Sequence, residues 1–81
     1  MENRLGVVGI LIHNREDVSE KVNHILSEYG NIIVGRMGIP YKDRGIFVIA
    51  LIVDGTTDEI GALTGKLGVL KGVKVKSALT V

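Results

Sequence analysis

Few side chains in this sequence have the chemistry of a metal ligand. It contains two histidines, His13 and His24, and no cysteine. No His, Asp and Glu residues recur at a ligand spacing such as H-x-x-x-H, and the lack of thiolates argues against a closed zinc site. We therefore expect no metal and no cofactor. One alternative stays open, in which His13 or His24 binds a metal across an interface between copies of the chain.

Catalytic groupings are equally scarce. Ser19, Ser27 and Ser77 are not preceded by a strand and followed by a tight turn, as a nucleophilic serine would be. The segment 54–58 has the pattern of a loop and a helix cap, not of an acid–base pair of carboxylates. Gly61-x-x-x-Gly65-Lys66 is superficially like a phosphate loop, but its glycines fall inside a predicted helix. We expect a protein that is not an enzyme and has no catalytic residues.

Two places have residues suited to binding a small molecule. His13, Asn14 and Arg15 lie where the first predicted strand meets the first helix, and a helix N-terminus favours anions. Gly61 and Gly65 interrupt the second predicted helix, at a cost of roughly 1 kcal/mol each relative to alanine. We predict these five as ligand-binding residues. Ordinary helix capping is the alternative for the loop, and close packing of the helix on its sheet is the alternative for the glycines.

Composition narrows the class of protein. The 81 residues suit one domain spanning residues 1–81. The net charge of +1 lacks the basic excess of a protein that neutralises phosphates, so we expect no direct contact with nucleic acid. The longest apolar runs, 7–12 and 46–53, are too short to span a bilayer, and we identify no secretory leader. We expect a cytoplasmic protein with no membrane contact.

The pattern of apolar residues and turn residues predicts four strands and two helices. The predicted strands are 5–12, 32–39, 46–53 and the segment after Gly72, and the helices run from Asn14 to Gly30 and from Thr56 to Gly68. The order β-α-β-β-α-β is that of the ferredoxin-like fold of the α+β class. It places two helices on one face of a four-stranded antiparallel sheet, with the first and third strands in its centre.

Both central strands are apolar at almost every position, where a half-exposed strand would alternate. The face of the sheet away from the helices should therefore also be apolar, which usually marks a protein–protein contact. We expect a homo-oligomer, either a dimer or a tetramer. A monomer with a partly apolar open face is the alternative. The predicted interface residues are Ile46, Val48, Ala50, Ile52, Val8 and Ile10.

Two stretches resemble one known family. The segment 60–68, Ile-Gly-Ala-Leu-Thr-Gly-Lys-Leu-Gly, with Gly72-Val-Lys-Val-Lys76 after it, and the segment 36–41 resemble the small regulators of the iron-only hydrogenase system. The resemblance implies a stand-alone ACT-like domain that is a non-enzymatic regulator or ligand sensor. The alternative is an assembly module that docks on a hydrogenase maturation protein and binds no small molecule.

A more distant similarity, in residues 13–21 and 70–74, is to the C-terminal regulatory domain of nickel-responsive repressors. That domain forms a tetrameric core and binds nickel through three histidines and one cysteine. The corresponding positions here hold Ser27, Met37, Ile39 and Gly45, which cannot form a square-planar nitrogen and sulfur site. The similarity supports the fold and an oligomer, and it argues against nickel sensing and DNA binding.

Overall fold

Strands and helices follow one another in the predicted order. The computed structural model describes residues 3–13 and 15–80, without the side chains of residues 15–17. The elements are β1 (Arg4–Ile12), α1 (Arg15–Glu28), β2 (Ile33–Tyr41), a short 3-10 helix (Lys42–Arg44), β3 (Ile46–Gly55), α2 (Thr57–Gly68) and β4 (Val73–Leu79). The predicted cap of the first helix, Asn14, lies outside the described residues.

The four strands form one antiparallel sheet in the order β2-β3-β1-β4. The two most apolar strands are therefore the central pair, as the sequence predicts. Val8 lies opposite Leu51 and Ile10 opposite Ile49. The side chains of these four residues point to the same side of the sheet, where the core lies.

The core is one apolar layer between the sheet and the helices. Buried residues alternate along β1 and β3 because successive strand side chains point to opposite faces. Both helices contribute to the same cluster, so both lie on the same face of the sheet. Their buried residues are Val18, Val22 and Leu26 of α1 and Ile60, Leu63 and Leu67 of α2.

The start of α2 is fixed by a capping box. The Glu59 backbone N–H donates to Thr56 Oγ1 at 3.1 Å, and the Thr56 N–H donates to Glu59 Oε1 at 2.9 Å. These reciprocal bonds satisfy donors that the first helical turn leaves unpaired. The predicted start of the second helix at Thr56 is confirmed, and Leu63 and Leu67 are among the buried residues of this helix.

The β2–β3 hairpin is longer than the sequence predicts. Pro40 and Tyr41, expected in the turn, belong to β2 and lie opposite Phe47 and Ile46. Proline is tolerated here because β2 is an edge strand, where one side of the backbone needs no ladder partner. The chain reverses over residues 42–45, and Gly45 completes the reversal in the left-handed region at φ 64°.

We predict that Leu63→Ala lowers the free energy of unfolding by about 2–5 kcal/mol, because it leaves a cavity at a side chain that is 0% exposed. Val69→Ala is the matched control, since Val69 is 82% exposed and its loss should change stability by less than about 0.5 kcal/mol. Urea unfolding at one fixed protein concentration measures both. Equal losses in the two variants would contradict the described core.

Candidate functional site: the open face of the sheet

The side of the sheet away from the helices is here called the open face. Register and alternation place on it residues from all four strands. They are Leu5, Val7, Gly9 and Leu11 of β1, Gly35, Met37, Ile39 and Tyr41 of β2, Ile46, Val48, Ala50, Ile52 and Asp54 of β3, and Lys74, Lys76 and Ala78 of β4.

The open face is apolar over three of its four strands. Val7 is 47% exposed, Ile52 49% and Met37 62%, and they belong to β1, β3 and β2. Charged residues lie at its margins, with Lys74 and Lys76 on the edge strand β4 and Asp54 near the end of β3. The prediction that the central strands are apolar on both faces is confirmed. A contiguous apolar surface of this kind is typical of an interaction site.

Two of the six predicted interface residues are wrong. Val8 and Ile10 are 0% exposed and lie in the core beneath the helices, so they cannot contact a partner across the open face. Val7 and Leu11 hold the outward positions of β1 instead. β1 is apolar at both alternating sets of positions, so periodicity alone does not show which set faces the core. Ile46, Val48, Ala50 and Ile52 do lie on the open face.

A trough of about 580 Å³ lies on the β4 side of the sheet. On the open face it is lined by Gly9, Leu11, Val48, Lys74 and Lys76. The rest of its lining is Ile10, Val73 and Val75, which alternate with these residues along β1 and β4, and Gly68 at the end of α2. Gly9 lies between Val7 and Leu11 on the outward side of β1 and gives the trough its floor. Sequence reasoning missed Gly9, although a glycine among outward apolar residues of a central strand is a signal of close approach by another molecule.

The corner between β1 and α1 is tied to the turn before β4. The His13 backbone N–H donates to the Gly72 carbonyl oxygen at 2.7 Å, and a Cβ at Gly72 would lie 3.0 Å from the His13 carbonyl oxygen. The His13 side chain is exposed. Asn14 lies outside the described residues, and the side chain of Arg15 is not among those described. Ligand binding at this corner stays a prediction.

Gly61 and Gly65 lie on the solvent side of α2. A Cβ added at either would meet nothing within 4 Å. Close packing against the sheet is therefore the wrong explanation for them, because Leu63 and Leu67 face the core from the opposite side of the helix. The structure also does not bring these glycines against the His13 corner.

Lys66 and His24 each contact another titratable side chain near the surface of the described residues. The Lys66 ammonium nitrogen lies 5.1 Å from the centre of the Tyr29 ring, which links the end of α1 to α2. A side-chain hydrogen bond with Tyr29, and then the charges of Tyr29 and Glu28, raise the pKa of Lys66. His24 lies 4.0 Å from Glu28 on the exposed side of α1. Within the described residues, no three His, Asp or Glu side chains come together as metal ligands would.

In the described part of the chain, no helix has both the length and the apolarity that crossing a membrane requires. The sheet, its two helices on one face and its open face together define an ACT-like domain of the ferredoxin-like class, as predicted. Solved structures share this architecture. The ACT domain from the GTP pyrophosphokinase of Chlorobium tepidum superposes with a TM-score of 0.78 at 20% identity, over 94% of this chain and 99% of that one. CPII, a nitrogen regulatory PII-like protein from Thiomonas intermedia K12, superposes with a TM-score of 0.54 at 18% identity, over 96% and 91%.

The chain belongs to the TM1266-like family, described as "Iron-only hydrogenase system regulator, putative", whose model matches residues 4–77. The uncharacterized protein TM1266 from Thermotoga maritima has 34% identity to it and a TM-score of 0.94, over 99% of this chain and 100% of that one. No curated protein matches the sequence significantly. The family resemblance identified in the sequence is confirmed.

We predict that alanine substitution has opposite effects on stability at the two glycines of α2 and at the glycine in the turn before β4. Gly61→Ala and Gly65→Ala should each raise the free energy of unfolding by about 0.5–1 kcal/mol, because alanine favours the helix and the added methyl meets open space. Gly72→Ala should lower it by more than about 1 kcal/mol, because Gly72 has φ +83° and abuts His13. Chemical unfolding of the three variants measures this. A loss of stability in the two helix variants would restore the close-packing explanation.

Proposed function

We propose that the protein is a non-enzymatic regulatory domain of the iron-only hydrogenase system that acts as a homo-oligomer and responds to a small molecule. Membership of the TM1266-like family supports the system, and the ACT-like architecture supports a regulatory domain. The observation that carries the oligomer is the exposed apolar surface on the open face. The proposal makes this surface the interface between copies.

A second copy of the chain is the occupant that this surface suits. Apolar side chains of β1, β2 and β3 form a continuous surface, and the lysines stand on the edge strand β4. Two copies stacked about a two-fold axis would therefore face each other with apolar side chains, while Lys74 and Lys76 stay at the rim in contact with water. Such a symmetric interface uses the same patch on both chains and needs no other protein. Stacked sheets pack about 10 Å apart, so open-face side chains reach those of the opposite sheet.

Ile52→Lys tests the oligomer. Ile52 is 49% exposed on a central strand, so a lysine there reaches solvent in the monomer but would be buried without a counter-charge between two stacked sheets. Sedimentation equilibrium should give a mass of at least twice the 8.7 kDa chain for the wild type and close to 8.7 kDa for the variant. Val69→Lys is the control, since Val69 is 82% exposed, follows α2 and is not one of the open-face residues, and it should keep the wild-type mass.

Circular dichroism of the three proteins shows whether the Ile52 variant keeps its fold. A wild type of 8.7 kDa at every concentration would contradict the homo-oligomer. It would favour the alternative, an assembly module whose open face docks on a hydrogenase maturation protein. A variant that is folded but still oligomeric would place the interface elsewhere on the chain. Native mass spectrometry of anaerobically purified protein then shows whether a small molecule is retained.

A further inference from the structure

The trough on the open face has a floor without side chains and apolar walls. Gly9 lies opposite Ala50 on β3, so the two central strands contribute at most a methyl group to this row of the sheet. The next row is higher, since Leu11 lies opposite Val48. A Cβ at Gly9 would find its nearest atom, the Lys76 carbonyl oxygen, at 4.0 Å, so nothing in the described chain fills the space above this glycine. The floor and wall suit a flat or linear apolar group.

The rim of the same trough is cationic. Lys76 lies opposite Gly9, and Lys74 lies opposite Leu11, both on the open face of β4. They are two residues apart on one strand, so their Cα atoms are about 7 Å apart, and two flexible ammonium groups can reach one anion between them. Neither lysine forms an ion pair within the described residues, and the described lining contains no carboxylate.

We propose that this trough binds a small amphipathic anion. The apolar body lies over Gly9 against Leu11 and Val48, and one carboxylate or sulfonate group lies between Lys74 and Lys76. Each part of such a molecule has a matching part of the trough. The apolar wall excludes water from the apolar body, and the lysines on the edge strand β4 are accessible to the ionic group. A neutral apolar molecule of the same shape satisfies only the wall.

This site gives the chemical class of the small molecule in the proposed function. Its role in regulation rests on that proposed function. A second copy stacked on the open face would close the trough from above and leave its lysine end at the rim. Binding of the anion would then favour one oligomeric arrangement over others, since a ligand shifts an equilibrium by its difference in affinity between states. The site itself lies within one chain and can be tested without the oligomer.

Anilinonaphthalene sulfonate is a suitable probe, because it joins a flat apolar body to one sulfonate and becomes fluorescent when bound. Phenylnaphthylamine is its neutral counterpart. We expect the wild type to bind the sulfonate more tightly than the neutral probe. The double variant Lys74→Gln/Lys76→Gln should weaken sulfonate binding about tenfold or more and leave the neutral probe nearly unchanged. Lys71→Gln, in the turn before β4, is the matched control and should change neither.

Gly9→Val provides a second variant, because a branched side chain on the floor should block both probes while suiting a strand. If the double lysine variant binds the sulfonate as tightly as the wild type does, the anion site is overturned. If Gly9→Val binds both probes as tightly as the wild type does, the probes bind elsewhere on the chain. The same titrations on monomeric Ile52→Lys separate the two proposals. Lysine-dependent binding by a wild type that is itself monomeric would retain the site while the oligomer fails.

Discussion

The central strands β1 and β3 carry apolar side chains on both faces, and the helices of the chain cover one of these two faces. Their inward residues, such as Leu51, are buried by the two helices, and their outward residues, such as Ile52, stay exposed beside them. Both α-helices of the described residues pack into one core cluster on the inward face. In the proposed function, a second copy of the chain buries the open face. The proposed oligomer and the proposed anion site are both consequences of this constraint.

The side chains on the open face differ in chemistry from strand to strand. β1, β2 and β3 present apolar side chains suited to a second sheet, while β4 presents Lys74 and Lys76 at the edge. Lysines at a sheet edge also discourage uncontrolled strand pairing. Gly9 removes the side chain at one point of the apolar region, and the resulting trough meets the lysines. In the two proposals, the effector and the second copy of the chain bind to this same surface.

Much of the fold follows from local signals in the sequence. The capping box at Thr56 and Glu59 indicates where the second helix begins. The apolar runs of β1 and β3 indicate that these two strands form the central pair of the sheet. Which face each β1 residue takes does not follow from the sequence, because both sets of alternate residues are apolar, and the prediction of Val8 on the open face is wrong for this reason. The close-packing explanation of Gly61 is wrong as well. A helical glycine has the same pattern whether it faces a sheet or solvent, and the structure shows solvent.

The most direct test of the account is whether the open face is covered in solution. Methyl NMR with a soluble paramagnetic relaxation agent measures this for each residue. If a second copy covers the open face, the methyl groups of Val7 and Ile52 are protected nearly as well as those of the buried Leu51, while those of Val69, which is 82% exposed, relax strongly. Relaxation of Val7 and Ile52 as strong as that of Val69, at the concentrations used for sedimentation, would contradict the central claim.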